Sequence, residues 1–520
     1  MKTVAQVLVD WLKSAGVEVI FGIPGVHTIE LYRALAGSGI RHITPRHEAA
    51  AGFMADGYAR VSGRFGVALV ITGPGVTNIL TPMAQARADS VPMLVISGVN
   101  RRETLGKGLG YLHELPDQRA LTRVLGPGLH LEDPKALPGL LAQAGRALTS
   151  GRGGPVHLEI PLDLMAAAAP PAAPLAPPVT TLPDPAKARA RLRAARRPVI
   201  LAGGGCKRAE APLRALAEAL SAPVILTTNA RGLLHGHPLA VPASPSLDPV
   251  RALIREADQL LVVGSELGPT DCDMYGVGGF PELSGMIRVD IDGAQLARHF
   301  AAITLQAEAG AMLAALLPAA PAPVAPGWGA TRAEAARDEA LAALPPGYGD
   351  EVRLLDSLRD AVPAAVIVGD STQAAYAGNL FYSHDVPGGW FNAATGYGAL
   401  GHGIGAAIGA AVAAPGRRVL CLTGDGGLMF HPGELRTALD ENLDVTFIVY
   451  NNNGYGEIAS AMREAGAPVI GCTPSAPDMA ALALAMGLPY TRATDSDLPM
   501  LAAMARGPRV IELRRPDVTA

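Results

Sequence analysis

The chain has 520 residues and a formal net charge of −4, with 49% hydrophobic and 17% charged residues. At roughly 100–200 residues per domain, this length predicts a compact soluble protein of two to four domains. The balanced charge and the lack of a basic stripe exclude a protein built to bind nucleic acid.

The four cysteines lie far apart in the chain: Cys206, Cys272, Cys421 and Cys472. This spacing argues against a zinc site or a disulfide framework and favours a reducing cytoplasm. The N-terminus predicts an amphipathic helix followed by a strand, without the features of a signal peptide. Residues 398–416 are rich in Gly and Ala, fall short of the ~20 strongly apolar residues of a membrane span, and predict a buried helix.

Two segments crowded with Pro and Ala, residues 166–185 and 317–350, predict surface connections between domains. They divide the chain into domains at 1–165, 186–318 and 348–520. Each part repeats a branched apolar run, a glycine turn and a helix-compatible stretch. The predicted fold class is therefore α/β, with three doubly wound domains built on parallel sheets.

In the first part, "VALVI" (67–71) and "MLVIS" (93–97) predict strands on either side of a glycine turn and a helix. Glu48 lies upstream, at the end of another strand and before an apolar helix. Taken alone, Glu48 is better explained as a helix-capping acid.

In the central part, "RPVILAGGG" (197–205), "QLLVVGSEL" (259–267) and "MIRVDID" (286–292) predict further strands. The glycines at 203–205 fit an ordinary strand-to-helix turn. The motif "VITGPG" (70–75) of the first part is similar to "CLTGDG" (421–426) of the last, through shared ancestry or through the common demands of a tight turn.

The last part contains a candidate ion site. Asp425 follows one strand in a glycine turn, and Asn452, 27 residues later, follows the next strand. Because ligands bind beyond the carboxyl ends of parallel strands, both side chains can face one ion. Asp and Asn oxygens together with phosphate oxygens suit magnesium, at about 2.0–2.1 Å. The pattern predicts a magnesium–diphosphate anchor; a helix cap and another kind of nucleotide site are the alternatives.

The run Gly424-Asp425-Gly426, followed by Asn451-Asn452, resembles the diphosphate-binding signature of thiamine diphosphate enzymes. The resemblance implies that Asp425, Asn452 and the carbonyl of Gly454 bind Mg²⁺. Read together, residues 44–63 and 71–98 resemble the pyrimidine-binding domain of the acetolactate synthase-like branch. The last domain would then bind the diphosphate, and the resemblance covers nearly the whole chain.

The resemblance also implies roles for single residues. Glu48 would be catalytic, because its hydrogen bond to the pyrimidine nitrogen of the cofactor favours the imino form that removes the C2 proton. Leu400, which alone is explained as a core leucine, would support the bent cofactor, and the Gly398 carbonyl would meet its amino group. Further cofactor contacts are implied at Gln373, Gly424, Asp425, Gly426, Gly427 and Asn452.

In this family the glutamate of one subunit meets the aspartate of another. Here these are Glu48 and Asp425, so the resemblance implies a homodimer or homotetramer with active sites at subunit interfaces. A lone subunit is then expected to be inactive.

The substrate implied by the cofactor is a 2-oxo acid that loses CO2. Glu457 stands where the synthases tend to have a methionine, and an acid there suits a guanidinium group; a solvated helix residue is the alternative. With segments such as "GDSTQAAYAGN" (369–379), the chain is similar to the 5-guanidino-2-oxopentanoate (2-ketoarginine) decarboxylases, which form 4-guanidinobutanal. The other predicted substrate residues are His27, Thr28 and His113, with Asp271, Asp273 and Asp370 as weaker candidates.

Other interpretations remain open at this point. Acetolactate synthases often bind FAD in the central domain, but here the loop "GSELGPTDCDMYG" (264–276) has acids and no arginine, which makes FAD doubtful. An acetolactate synthase that joins two pyruvates is the alternative enzyme. A non-catalytic cofactor-binding scaffold is opposed by intact Glu48, Asp425 and Asn452.

Overall fold

Three six-stranded parallel sheets form the computed structural model, which describes residues 1–177, 181–273, 281, 285–319 and 324–518. This arrangement confirms the predicted α/β class with three doubly wound units. The exact domain limits stay a prediction.

The first sheet has the strand order β2-β1-β3-β4-β6-β5. Its strands are Val19–Gly22 (β1), Arg41–Ile43 (β2), Gly66–Val70 (β3), Met93–Val99 (β4), Gly128–His130 (β5) and Pro155–Pro161 (β6). Its helices are Val4–Ser14 (α1), Ile29–Leu35 (α2), Glu48–Ser62 (α3), Pro74–Ala88 (α4), Gln118–Arg123 (α5) and Leu137–Thr149 (α6). Every residue of β3 and β4 is buried, as expected for a sheet covered on both faces.

The central sheet has the order β12-β11-β10-β7-β8-β9. Its strands are Pro198–Ala202 (β7), Val224–Leu226 (β8), Ala240–Val241 (β9), Gln259–Val263 (β10), Ile287–Asp290 (β11) and Ile303–Gln306 (β12). The helices of this part are Ala186–Ala194 (α7), Glu210–Leu220 (α8), Asp248–Glu256 (α9), Pro269–Cys272 (α10), Gly293–Leu296 (α11), Ala309–Leu316 (α12) and Ala330–Ala342 (α13). Counted within the unit, this is the 3-2-1-4-5-6 order of dinucleotide-binding folds.

The third sheet has the order β14-β13-β15-β16-β18-β17. Its strands are Val366–Gly369 (β13), Trp390–Asn392 (β14), Val419–Gly424 (β15), Val445–Asn451 (β16), Tyr490–Ala493 (β17) and Arg509–Arg514 (β18). Its helices are Tyr348–Ala361 (α14), Gln373–Leu380 (α15), His402–Ala413 (α16), Asp425–Leu428 (α17), Glu434–Asp440 (α18), Gly456–Glu464 (α19), Met479–Ala485 (α20) and Leu498–Met504 (α21).

The first and third sheets share one strand order when the strands are counted within each unit. The similar segments 70–75 and 421–426 both lie at the end of the third strand of their unit, β3 and β15. The repeat in the sequence therefore coincides with a repeat in topology, which favours shared ancestry of the two outer units.

Helices α3 and α16 join the two outer units through close backbone contact. A Cβ at Gly57 would lie 2.0 Å from the carbonyl oxygen of Ala406, and one at Gly409 would lie 1.9 Å from that of Met54. Only glycine permits this approach. Side chains from both units form one continuous buried cluster around this helix pair, so these units share a core.

One prediction about the connections is wrong. Residues 317–350 are not simply a surface connection, because α13 (Ala330–Ala342) forms within them. Ala333, Ala336 and Ala340 repeat at helical spacing and are fully buried in a cluster of the central unit. Alanine is the strongest helix former, and here this preference outweighs the prolines that flank the helix.

The predicted buried helix within residues 398–416 is α16, all but two of whose residues are buried. Within the described ranges, no helix combines the length and the apolar character that crossing a membrane requires. All four cysteines are buried and free.

Candidate active site

The predicted metal ligands lie at the carboxyl ends of β15 and β16, which are neighbouring strands. Asp425 follows β15 directly and is 2% exposed. Its Oδ2 accepts a hydrogen bond from the Gly454 N–H at 3.0 Å. Burial raises the pKa of Asp425, while N–H groups of Asn452 and Gly454 favour the ionised form. The sequence therefore brings an acid, an amide and a backbone turn to one point.

Three oxygen atoms converge at this point. In one amide orientation, the side-chain oxygen of Asn452 lies 2.8 Å from the Gly454 carbonyl oxygen and 3.2 Å from Asp425 Oδ1; in the other, the amide nitrogen donates to both. Neighbouring ligands of an octahedral Mg²⁺ are about 2.9 Å apart, given metal–oxygen distances of 2.0–2.1 Å. In the oxygen-facing orientation, the donor set fits a magnesium ion.

Gly454 is required by the backbone at this site. Its φ is +155°, and a Cβ there would lie 2.3 Å from the carbonyl oxygen of Cys472. A side chain would therefore displace the carbonyl that faces Asp425 and Asn452. Among the described residues, no three His, Cys, Asp or Glu side chains gather into a metal site, so an ion here needs amide and carbonyl oxygens.

A cavity of about 330 Å³ opens beside these ligands. Its lining includes every cofactor-binding, metal and C-terminal substrate residue predicted from the sequence: Gln373, Gly398, Leu400, Gly424, Asp425, Gly426, Gly427, Asn452, Gly454 and Glu457. The lining also includes Ser371, Thr372, Tyr376, Tyr450, Tyr455, Gly456, Ile458 and Arg515.

The segment with Gly398 and Leu400 is held in place by the first unit. Gly398 has φ +77°, and the space around its missing Cβ is open. The Ala399 N–H donates to the side-chain oxygen of Gln85, at 3.2 Å. Gln85 is buried on α4 and also donates to the Ala393 carbonyl. This wall of the cavity therefore has a fixed, glycine-shaped backbone with room for a ligand.

Glu457 is a half-buried acid on the cavity wall, in the first turn of α19. Burial raises its pKa; a hydrogen bond from Gln373 opposes this effect, and the charge of Glu464 adds to it. No Lys, Arg or His within the described residues forms an ion pair with Glu457. Arg515, which also lines the cavity, pairs with Glu351 at 2.8 Å and with Asp495 at 2.6 Å.

Glu48 is the first residue of α3 and follows β2, which agrees with its predicted position between a strand and an apolar helix. Its Oε2 accepts a hydrogen bond of 2.9 Å from the side chain of Asn78 on α4. His47 caps the helix through Nδ1, which accepts from the Ala49 N–H at 3.0 Å. The carboxyl is half-buried in the chain, and among the described residues its Oε1 has no hydrogen-bond partner.

His27 and His113 form a pair in the first unit, with ring centroids 5.4 Å apart. The Nδ1 atom of each ring is buried without a hydrogen-bond partner. Burial lowers the pKa of His27, and the charge of His113 lowers it further, while Asn100 opposes both effects. Thr28 is fully buried, and its hydroxyl donates to the Gly25 carbonyl at 3.0 Å.

The predicted residues thus form two separate groups within one chain. Glu48, His27, Thr28 and His113 are not among the described residues that line the cavity of Asp425. The weaker candidates are engaged elsewhere: Asp271 lies beside Arg231 in the central unit, and Asp273 pairs with Arg251. Asp370 accepts N–H groups of Ser371 and Gly403.

Several polar residues at these sites escaped the sequence analysis. They are Asn78 against Glu48, Asn100 against His27, and Tyr376 near Glu457. Asn100 directly follows β4, just as Asn452 directly follows β16. The signal that identified Asn452, a polar side chain at a strand end, could therefore have identified Asn100.

The glycine turn of the central unit borders a cavity of about 910 Å³. Two of its N–H groups are already used, because Gly203 donates to the Val263 carbonyl and Gly205 to that of Gly264. Few N–H groups then remain for a phosphate, which adds a structural reason for the doubt about FAD. Glu266, in the loop 264–276, pairs with Arg152 and Arg298. Residues 274–276 of that loop lie outside the described residues.

Comparison with known protein families gives three matches along the chain. Residues 2–121 match the N-terminal TPP binding domain of thiamine pyrophosphate enzymes. Residues 186–316 match the central domain, and residues 368–513 match the C-terminal TPP binding domain.

Curated proteins similar to this chain include enzymes of two kinds. The probable 2-ketoarginine decarboxylase AruI of Pseudomonas aeruginosa is 44% identical over 510 residues, covering 95% of this chain and 90% of that protein. The acetolactate synthase isozyme 1 large subunit of Escherichia coli is 34% identical, covering 87% and 82%. The acetolactate synthase of Mycobacterium bovis is 31% identical, covering 88% and 77%.

Proposed function

Because the chain belongs to the thiamine pyrophosphate enzyme family and is a thiamine diphosphate-dependent enzyme, we propose that it decarboxylates a 2-oxo acid with a guanidinium group. The proposed substrate is 5-guanidino-2-oxopentanoate, and the products are 4-guanidinobutanal and CO2. The similarity to a probable 2-ketoarginine decarboxylase supports this proposal.

The observation that carries the proposal is Glu457. Its carboxyl lies in the wall of the Asp425 cavity, and burial raises its pKa. A half-buried acid without a cation is costly to the protein, so a ligand cation is its natural partner. The planar guanidinium of the substrate can donate two parallel hydrogen bonds to it. Gln373 and Tyr376, which line the same cavity, would border the guanidinium group.

The remaining cavity residues would hold the cofactor. Asp425, Asn452 and the Gly454 carbonyl would bind Mg²⁺, and the glycines at 424, 426 and 427 would leave room for the diphosphate. When bound, thiamine diphosphate supplies a nucleophilic carbon and accepts the electrons released with CO2. Leu400 would support the cofactor between its rings, and Glu48 would hold a proton at the pyrimidine nitrogen.

We propose further that the active unit is a homodimer or homotetramer, in which Glu48 and the histidines of one subunit face the Asp425 cavity of another. Exposed apolar residues directly precede residues of both groups, and a partner subunit would cover them. These residues are Val26, Leu112 and Tyr397. His27 and His113 would then lie on the substrate side of the joined site.

A cytoplasmic location completes the proposal. The four cysteines are buried and free, and such thiols are typical of proteins in reducing compartments.

The competing activity is that of an acetolactate synthase, which the 34% identical relative favours. The two activities give different products, because the decarboxylase releases an aldehyde and the synthase a branched hydroxy acid. The purified enzyme with thiamine diphosphate and Mg²⁺ is offered a panel of 2-oxo acids, and CO2, aldehyde and acetolactate are measured. Acetolactate from pyruvate, without turnover of the guanidino acid, would refute the proposed substrate.

The role of Glu457 is tested by Glu457→Gln. Loss of one charge-assisted contact, at about 1.5–3 kcal/mol, should raise the KM for 5-guanidino-2-oxopentanoate roughly 10- to 150-fold. The KM for 2-oxohexanoate, which lacks the guanidinium, should change little. Glu464→Gln on the exposed part of the same helix is the matched control. Equal effects of Glu457→Gln on both substrates would remove Glu457 from substrate recognition.

A further inference from the structure

The two residues before Glu48 are held by the third unit of the same chain. Glu434 is the first residue of α18 and is 1% exposed. Its Oε1 accepts hydrogen bonds from the backbone N–H groups of Arg46, at 2.8 Å, and His47, at 3.1 Å. Its Oε2 accepts the hydroxyl of Thr437, at 2.6 Å. The hydrogen bonds to the backbone are partly buried, and the one from Thr437 is buried.

These bonds fix the entry of the helix that carries Glu48. Arg46 and His47 precede α3, so their N–H groups have no place in its hydrogen-bond ladder. Without Glu434, both donors would lose their acceptor inside the interface between the two units. Within the described residues, the Glu48 side chain accepts a single hydrogen bond, from the side chain of Asn78. Its direction therefore depends largely on the backbone in front of it.

We propose that Glu434 is the positioning residue of Glu48. Its carboxylate fixes the backbone at residues 46 and 47, and this backbone directs Glu48 towards the Asp425 cavity of the partner subunit. The inference rests on the proposed function, in which Glu48 acts on the pyrimidine nitrogen. Glu434 itself would touch neither cofactor nor substrate.

The structure offers a control for the clamp. Arg46 also makes an ion pair with Asp440 at 2.5 Å, but these side chains are 38% and 41% exposed. Such a surface pair has little effect on structure. Asp440→Asn therefore removes a contact between α18 and the Arg46 side chain but leaves the hydrogen bonds of Glu434 to the backbone intact.

The experiment uses the full-length assembled enzyme and two readouts. The first is hydrogen exchange of the backbone amides of Arg46 and His47 in the cofactor-free protein. The second is the rate of C2-proton exchange of bound thiamine diphosphate in the presence of Mg²⁺. Glu434→Leu should abolish the amide protection and slow C2 exchange roughly 10- to 100-fold, a part of the usual effect of an acid–base group. Glu434→Gln, whose amide oxygen still accepts both N–H groups, should stay close to wild type, as should Asp440→Asn.

A double variant separates positioning from general damage. If Glu434 acts only through Glu48, Glu434→Leu should slow C2 exchange no further in a Glu48→Gln background. An additional loss of the same size in that background, or unchanged amide protection in Glu434→Leu, would overturn the inference. A Glu48→Gln variant with wild-type C2 exchange would instead overturn the proposed function. If Glu434→Leu fails to fold, Glu434→Asp, whose oxygens are drawn back by one methylene, should show the same pattern more weakly, and wild-type protection in it would overturn the clamp.

Discussion

Arg60 holds together a buried ionic network between the two outer units, and its replacement by methionine is the most informative test of how these units are joined. Its Nε lies 2.6 Å from Asp56 Oδ1 and its Nη2 lies 2.6 Å from Asp89 Oδ2. The three side chains are at most 2% exposed. Asp56 also contacts His402 of α16, at 3.2 Å. Methionine keeps the apolar stem of arginine but leaves both carboxylates without their cation.

The expected loss of stability can be worked out in two ways. Removal of one partner from a buried ion pair typically costs about 3–5 kcal/mol. Burial alone would raise the pKa of Asp56, but Arg60 and His402 outweigh burial and lower it from 3.8 to about 2. That shift corresponds to roughly 2 kcal/mol for this one carboxylate, and Asp89 loses its ion pair with Arg60 as well. At about 2–4 °C per kcal/mol for a unit of this size, the thermal midpoint should fall by about 6 °C or more.

The pKa of Asp56 also predicts how the stability difference between Arg60→Met and the wild type changes with pH. In the wild type, the lowered pKa of Asp56 gives stability that is present above pH 4 and is lost as the pH falls through about 2. In Arg60→Met, burial without the cation should raise the pKa of the Asp56 carboxyl, so this carboxyl takes up a proton as the pH falls from 7 to 4. The deficit of the variant should therefore shrink on acidification.

Differential scanning calorimetry at pH 7 and pH 5 measures both effects. Arg60→Lys, which keeps the charge but contacts fewer oxygens, should lose less stability than Arg60→Met. Arg33→Met, which breaks an exposed pair with Glu30, should change stability by less than ~1 kcal/mol. A midpoint of Arg60→Met within 2 °C of wild type at pH 7, or a deficit that grows at pH 5, would refute the reasoning.

Four further outcomes are expected. Mixing Glu48→Gln subunits with Asp425→Asn subunits, each inactive alone, should restore about a quarter of wild-type activity. Half of the randomly formed dimers are mixed, and each mixed dimer has one intact site of two. No recovery after subunit exchange would mean that sites do not form between subunits. Asp425→Asn should weaken Mg²⁺-dependent binding of thiamine diphosphate by at least ~10-fold in calorimetric titration, and equal affinity with and without Mg²⁺ in the wild type would contradict the metal site. Gly409→Val should lower the thermal midpoint by the equivalent of at least ~1–3 kcal/mol because its side chain meets the Met54 carbonyl, whereas Gly139→Ala, in open space on α6, should not. Glu457→Gln should raise the thermal midpoint of the cofactor-free protein at pH 7 and not at pH 4. Because the pKa of Glu457 is raised, its ionised form destabilises the folded protein, and protonation removes this effect. A lower midpoint at pH 7 would show that the acid has a stabilising partner.

The α/β fold was accessible from the sequence because buried parallel strands leave an unambiguous trace. Runs such as residues 67–71 and 419–424 are branched and apolar on both faces, and a glycine turn follows each. The order of the strands leaves no such trace, because it depends on which edges pair. Helix α13 is not evident from composition, because the flanking prolines indicate a connection and obscure the helical spacing of its alanines.

The convergence of the proposed metal ligands was predictable for a related reason. Asp425 and Asn452 both follow strands directly, and successive parallel strands bring their carboxyl ends together. Asn78 and Glu434 could not be found in this way. Asn78 lies within a helix, and Glu434 acts on backbone groups 388 and 387 residues away in the chain. Contacts that distant follow from the packing of whole units and not from local pattern.

The repeated topology places Glu48 and Leu400, one from each of the two proposed half-sites, at equivalent positions of the outer units. In the first unit, β2 is followed by Glu48 and α3; at the equivalent place in the third unit, β14 is followed by Leu400 and α16. The helices α3 and α16 pack on each other within the chain, which fixes the two units but leaves Glu48 outside the lining of the Asp425 cavity. In the proposed dimer, a second chain related by a two-fold axis would join each half-site to its complement, and the symmetry would produce two equal sites. Because Glu434 of the third unit accepts hydrogen bonds from the backbone before Glu48, the two proposed half-sites of one chain are also mechanically connected, although in the proposed dimer they would serve different active sites.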